Sequence, residues 1–237
     1  MKQLKHLYLP YDCNVHGKLE VGNLCYLQTL VNVQPNTIQI PTSFQLNCLW
    51  VLKVRTNTRA QDVIQILISL ISRCPHVEKL NIFNSIKKKL PEAHQFSQNL
   101  AKLTLFKTRL EEDQMATLEK LPKLKILNLL YEAFEGKDMV CFERGFPVLQ
   151  SLFLSELFQL EEWGVKEGAM PKLCHLEIVC CPRWKTIPDG LRFVTTLQKL
   201  EIKSMQKSFK DKLDKRGPDF DKVKHVSSLA FQNCGRE

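Results

Sequence analysis

The chain repeats one short hydrophobic pattern from end to end: an apolar residue, two positions of any kind, a leucine, one further position and a second apolar residue. Nine copies begin at Leu4, Leu27, Leu49, Val77, Leu100, Leu124, Leu149, Leu173 and Leu197. Their central leucines, Leu7, Leu30, Leu52, Leu80, Leu103, Leu127, Leu152, Leu176 and Leu200, are separated by 23, 22, 28, 23, 24, 25, 24 and 24 residues. The last apolar position holds Leu9, Val54, Ile82, Leu105, Leu129, Leu154, Ile178 and Ile202, and only the second copy departs, with Asn32 there and Val33 one place later. Alternation with a period of two sends the paired apolar side chains to one face of a short strand and the residues between them to the other. One such strand alone buries nothing. The pattern therefore predicts strands stacked in parallel, copy upon copy, with the leucines forming a continuous core.

A period near 24 residues falls within the range of about 20–29 that characterises leucine-rich repeats. The expected fold is α/β: a leucine-rich-repeat solenoid of about nine repeats, with a curved parallel sheet on its concave face and short helices and irregular returns on its convex face. The array is expected over residues 1–205, with a basic C-terminal segment over 206–237 closing it. The returns differ from one another. The apolar spacing within Gln61 to Arg73 predicts an amphipathic helix ending before Pro75. A second short helix is expected over Glu111 to Glu119, and an irregular or 3-10 return from Cys181-Pro182 to Leu191. Three residues beyond each strand motif, where such repeats carry Asn or Cys to satisfy backbone groups, stand Asp12, Asn57, Ser85, Thr108, Glu132 and Cys181. Leu157 and Met205 break that rule, so an uneven solenoid is expected.

Composition adds limits. With 237 residues, 44% hydrophobic and 25% charged, the chain reads as a folded protein, and it has no Gly/Ser/Pro-rich linker, so one continuous body is expected. The first residues, Met1 to Pro10, lack the apolar core of a secretory signal, and the apolar run from Val63 to Ile71 is too short to span a bilayer. Nine cysteines, an odd number set within apolar patterns, suit free thiols in a reducing compartment, so a cytoplasmic location is expected. The net charge of +9 is concentrated: Lys203 to His225 holds eight Lys/Arg against four Asp, and Lys87-Lys88-Lys89 form a second cluster. Without interleaved aromatics for base stacking, these read as solvated basic faces, and no nucleic-acid partner is expected.

Chemistry-bearing groups are sparse. Cys174, His175, Cys180 and Cys181 lack the paired spacing of a zinc site, and strand alternation separates them. A Cys/His nucleophile would lack an orienting carboxylate. No catalytic, cofactor-binding or metal-binding residue is therefore expected, and enzymatic activity is not expected either. Trp50, Trp163 and Trp184 read as core or rim packing. What remains is protein binding through the outward strand positions of the concave face: Lys125, Asn128, Gln150, Phe153, Cys174, His175, Glu177, Gln198, Lys199, Glu201 and Lys203. Phe153 and His175 stand out, since an aromatic group on a rigid strand can anchor a partner.

These residues also carry a family resemblance. Leu118-Glu119-Lys120-Leu121-Pro122 followed by Leu124, Leu127 and Leu129 resembles a repeat of plant intracellular immune receptors of the coiled-coil, nucleotide-binding, leucine-rich-repeat class. So do Gly136 to Cys141 leading to Phe146-Pro147, and the ordered series Leu160-Glu161-Glu162-Trp163, Gly168-Ala169-Met170-Pro171, Cys181-Pro182, Ile187-Pro188 and Gly190-Leu191. Phe209 and Val223-Lys224-His225-Val226 resemble the closing segment of that family. The resemblance implies a part in plant defence, recognising a pathogen effector or a guarded host protein and contacting the nucleotide-binding domain of a full-length receptor. No Gly-x4-Gly-Lys-Ser/Thr phosphate loop occurs in this sequence. An array whose first repeat starts at Leu4 would expose an apolar edge, which implies an N-terminal neighbour. A fragment of a longer receptor and a stand-alone relative both fit the length. The alternative function is a leucine-rich-repeat substrate adaptor of a ubiquitin ligase.

Overall fold

Alternate apolar residues can be buried only if neighbouring copies of the motif lie side by side, and every copy forms a strand that does so. The computed structural model describes residues 3–10, 18–41, 43–56, 63–86 and 89–235. Asp12, Asn57, Gln61 and Lys87-Lys88, singled out above, lie outside the described residues. The strands are β1 (His6–Tyr8), β2 (Leu19–Glu20), β3 (Thr29–Val33), β4 (Ile38–Gln39), β5 (Val51–Arg55), β6 (Lys79–Phe83) and β7 (Lys102–Phe106). They continue as β8 (Ile126–Leu130), β9 (Asp138–Cys141), β10 (Ser151–Ser155), β11 (Glu162–Val165), β12 (His175–Val179), β13 (Lys199–Lys203) and β14 (Ser228–Gln232). Among the described residues, three α-helices lie on the returns: α1 (Val63–Ile71), α2 (Met115–Leu118) and α3 (Lys207–Leu213).

Ten strands form one sheet in the order β1-β3-β5-β6-β7-β8-β10-β12-β13-β14, parallel throughout. The central leucines are in register along it, from Leu7 opposite Leu30 to Leu200 opposite Leu229. Leu30, Leu52, Leu80, Leu103, Leu127, Leu152, Leu176 and Leu200 are each no more than 1% exposed. Full burial of such a side chain stabilises by roughly 1.5–3 kcal/mol, and stacking makes every inner repeat collect it. Leu7 and Leu229, at the two ends of the column, are only half-buried.

The sheet is one strand longer than the nine motif copies predict. Val226, Leu229 and Phe231 repeat the motif in β14, but Leu229 follows Leu200 by 29 residues and a phenylalanine ends the copy, which hid it within the basic segment. The irregular second copy has a local solution. Val33, not Asn32, opposes Val54, and the extra residue forms a bulge in which Asn32 takes a left-handed backbone (φ 62°) and its side-chain amide donates to the Leu9 carbonyl at 3.0 Å.

Seven strands of the sheet, β6, β7, β8, β10, β12, β13 and β14, end the same way, whereas Gln34 after β3 and Thr56 after β5 do not take this conformation. The next residue, Asn84, Lys107, Tyr131, Glu156, Cys180, Ser204 or Asn233, has a left-handed backbone with φ between 46° and 71°. Its N–H, as in Asn84 to Phe106, Tyr131 to Ser155 and Ser204 to Gln232, donates to the last strand residue of the following repeat. The turn off the sheet is thus set by backbone geometry without a single glycine.

The returns are as mixed as the sequence suggests. The helix expected at 61–73 is α1, the one expected at 111–119 shrinks to α2, and Asp189–Phe193 is a 3-10 turn. The second helix starts late because the Asp113 carboxylate accepts the N–H groups of Met115 and Val140, both at 2.8 Å, holding its own segment against the neighbouring return. A feature absent from the sequence reading is a small parallel sheet of β9 and β11 on the return side. Beneath it Trp163, Trp184 and Phe209 stack edge to face with centroids 5.6 and 6.0 Å apart, which ties α3 into the core.

Candidate protein-binding face of the sheet

The strand residues between the buried leucines face the open side of the sheet. Backbone register places them in rows that cross the strands. Asn128, Phe153, Glu177 and Glu201 form one row across β8, β10, β12 and β13. His175 and Lys199 oppose each other in the row before it, and Lys203 opposes Val179 in the row after. Lys125, Gln150 and Gln198 sit one residue ahead of their strands. There a carbonyl accepts two N–H groups of the next repeat, as Lys125 O does from Gln150 (2.8 Å) and Ser151 (3.0 Å), and this leaves the three side chains exposed.

The outward residues placed in these rows and at the strand entries therefore lie along one face, but in different states. Glu201 is buried rather than presented. Its carboxylate accepts from Lys199 at 2.7 Å, His175 Nε2 at 2.9 Å and Lys203 at 3.3 Å, while Lys203 also bonds Glu177 at 2.6 Å. The Lys199 hydrogen bond, with those of His175 and Lys203, outweighs burial and holds the Glu201 carboxyl down to about 2. The ligand atoms of His175, Glu177 and Glu201 lie within 4.8 Å of one another, a grouping that sequence spacing did not reveal. Both carboxylates are already engaged by ammonium groups, so the cluster is a charge-balanced network. Asn128 is engaged as well, donating to Thr104 Oγ1 at 3.2 Å. Phe153 is half-buried.

The same face continues into repeats that the sequence reading passed over. Lys79, Asn81 and Phe83 on β6 oppose Lys102, Thr104 and Phe106 on β7. Beyond them Tyr131 stacks on Phe106, with centroids 5.6 Å apart, and Phe158 meets Tyr131 edge-on at 6.2 Å. Phe83 begins this aromatic row, 5.8 Å from Phe106, and the Lys107 ammonium lies 5.4 Å from the Tyr131 ring centre. The signal was available in part: Phe83 and Phe106 hold outward strand positions in the fourth and fifth copies, whereas Tyr131 and Phe158 lie beyond the ends of their strands.

The buried cysteines Cys74, Cys141 and Cys181 are poor candidates for chemistry. Burial pushes the thiols of Cys74, Cys141 and Cys181 up to about 12, far from a reactive thiolate. Cys174 Sγ contacts the Gln150 carbonyl at 3.2 Å. Of the tryptophans, Trp163 and Trp184 are core residues and Trp50 is 47% exposed. No helix of the described residues is long and apolar enough to cross a membrane.

No protein-family model matches the chain. It is 37% identical to a putative disease resistance protein of Arabidopsis thaliana over 243 residues, covering 98% of this chain and 27% of that protein. It is 33% identical to the disease resistance protein RPP8 of the same plant, covering 99% of this chain and 28% of the relative. Against the RPP8-like protein 3 the identity is 34%, covering 100% of this chain and 29% of the relative. The chain thus spans less than a third of the length of the relatives it matches. None of these names lends support to the ubiquitin-ligase adaptor. In sequence and in its parallel repeat sheet, the chain is a leucine-rich-repeat region of the plant disease resistance protein family.

Proposed function

We propose that the chain acts in plant defence as the protein-recognition module of an intracellular immune receptor or of a shorter relative of one, without catalysis of its own. Its ligand in this reading is a pathogen effector or a guarded host protein, met by the outward residues Lys125, Asn128, Gln150, Phe153, His175, Glu177, Gln198, Lys199 and Lys203. Glu201 serves by holding its neighbours in place. A nucleotide-binding domain, in the same protein or a partner, would be the second contact, and the cytoplasm the site of action.

The observation that carries this reading is the open face itself. Its backbone is fixed by a ladder of parallel strands, while its side chains change from repeat to repeat, from Phe153 to the His175–Glu201 network. Rigid presentation lowers the entropy cost of binding, and chemical variety supplies specificity. The test is a transient defence assay in leaves with the protein in its natural length. Phe153→Ala with His175→Ala, and Gln198→Ala with Lys199→Ala, are expected to abolish the response to the matching pathogen at unchanged protein level. Lys120→Ala and Lys166→Ala, on the returns, are expected to leave it intact. A normal response from both face variants would overturn the reading.

A further inference from the structure

The face is not uniform in charge or polarity, and its two halves differ in a way that points to a ligand. Over β12 and β13 the charges are neutralised internally by the Lys199, Lys203 and His175 contacts to Glu177 and Glu201. On β5 to β8 the lysines are not. Among the described residues, Lys53, Lys79, Lys102 and Lys125 have no carboxylate within ion-pair distance. Glu78, one residue ahead of β6, is the only acidic side chain on these four strands or at the position before each.

Across the width of the strands the same repeats are sorted into three rows. On β6 to β8, Lys79 and Lys102 stand at the strand starts with Lys125 one residue ahead of β8, Asn81, Thr104 and Asn128 in the middle, and Phe83 and Phe106 at the ends with Tyr131 just past β8. β5 departs, with Lys53 in the middle row and Arg55 opposite Phe83. The Asn81 side-chain amide has no hydrogen-bond partner among the described residues. The aromatic rings are half-buried or, for Tyr131, 37% exposed, and they form a continuous apolar strip. A cationic row and an aromatic row, separated by a row of amides and a hydroxyl, fit an extended chain lying along the solenoid axis. Its backbone would run over the amide row, and its side chains would alternate between the lysines and the rings.

We infer that the β6–β8 part of the face binds an extended polypeptide segment in which acidic and apolar residues alternate. The inference rests on the reading of this face as a protein-recognition surface, and it names the chemistry of the partner. Adjacent strands lie about 4.8 Å apart, so three strands cover about 10 Å, which an extended chain crosses in about four residues at roughly 3.3 Å each. Side chains of one parity then repeat every 6–7 Å or so, within reach of the flexible ammonium groups of successive lysines. A helix would place its charges on a 3.6-residue period and cannot address two parallel rows in this way.

The experiment uses the intact chain and fluorescence anisotropy with labelled synthetic probes. The first is Glu-Leu-Glu-Phe-Glu-Leu-Glu; the second has the same composition with its glutamates in one block; the third replaces glutamate by lysine; the fourth is a uridine oligonucleotide of equal charge. The alternating acidic peptide is expected to bind at least about tenfold tighter than the other three, and its affinity to fall as salt rises. Lys79→Glu combined with Lys102→Glu is expected to remove that preference, as is Phe106→Ser, while Lys120→Glu leaves it unchanged. Lys79→Gln, at an exposed site, covers the case in which a double or aromatic variant does not fold. Equal binding of the blocked peptide or the oligonucleotide, or indifference to both Lys79 variants, overturns the inference. A photoreactive group in place of the peptide phenylalanine separates this from failure of the broader reading. Crosslinks on β10 to β13 overturn only the choice of β6–β8, whereas crosslinks confined to α1 or α3 overturn the recognition face as well.

Discussion

The Phe106 and Tyr131 rings lie nearly parallel, 12° apart in plane and 5.6 Å between centroids. Tyr131 belongs to the next repeat and to the residue after the strand, where its backbone is left-handed (φ 46°), yet its ring continues the row that Phe83 and Phe106 begin. The stack is a surface feature, laid over the sheet and not within the leucine core. Tyr131→Ala is therefore expected to cost roughly 1 kcal/mol, the size of a partly exposed aromatic pair. Leu127→Ala, at a fully buried site one repeat position away, is expected to cost about 2–5 kcal/mol. Urea denaturation of the two variants checks the contrast.

Glu201 makes stability depend on pH at the acid end. Its carboxyl is held down to about 2 in the folded chain against an ordinary 4.5. A carboxyl whose pKa falls on folding stabilises the fold fully above its unfolded value, and that contribution disappears as pH falls through the folded value. The stability difference between the natural chain and Glu201→Gln is thus expected to be constant at neutral pH and to shrink between pH 4.5 and about 2. Denaturant titrations at several pH values across that window measure it. A difference that stays constant through the window would show that the Lys199 and His175 contacts do not bias the protonation of Glu201.

Gly190 allows two returns to touch. A Cβ at this position would lie 1.8 Å from the Val165 carbonyl oxygen at the end of β11. Gly190→Ala must push the 3-10 turn away from that strand, and the expected cost is about 1–3 kcal/mol. The loss should appear as a lower thermal midpoint, and near-ultraviolet circular dichroism should change with it, because Trp163 and Trp184 flank the contact.

The left-handed residues that end the strands offer the opposite effect. A non-glycine residue in that region carries about 1–2 kcal/mol of steric cost, part of which glycine gives back as chain entropy. Ser204, exposed and left-handed at φ 52°, makes its turn through backbone contacts alone. Ser204→Gly is expected to raise stability by roughly 0.5–1 kcal/mol. A loss of stability would mean that the side chain, and not the backbone, sets this turn.

The sheet was legible in the linear pattern because each leucine of the motif is buried by the same leucine one copy away, so periodicity and packing carry the same information. That held even where the copies were 28 residues apart, between Leu52 and Leu80. It failed at β14, where the spacing stretched and Phe231 took the aliphatic position, and it could not foresee β9 and β11, whose pairing depends on two returns meeting side by side. The candidate face was legible only as a set of positions. Outward residues follow from alternation, but whether one is presented or consumed depends on its neighbours in other repeats. Glu201 looked like a surface carboxylate until Lys199, His175 and Lys203 closed around it, and Phe106 carried no special weight until Tyr131 stacked on it.

By itself, then, the amino-acid sequence determined the repeat, the parallel sheet, the leucine core and the family resemblance, because each rests on a period that a chain repeats along its own length. Only the tertiary structure decided which outward side chains neutralise one another and which remain free to meet a partner. The contacts that hold the network together across repeats, His175 with Glu201 and Glu177 with Lys203, join residues 26 positions apart, and their geometry is set by strand register, which no local pattern records.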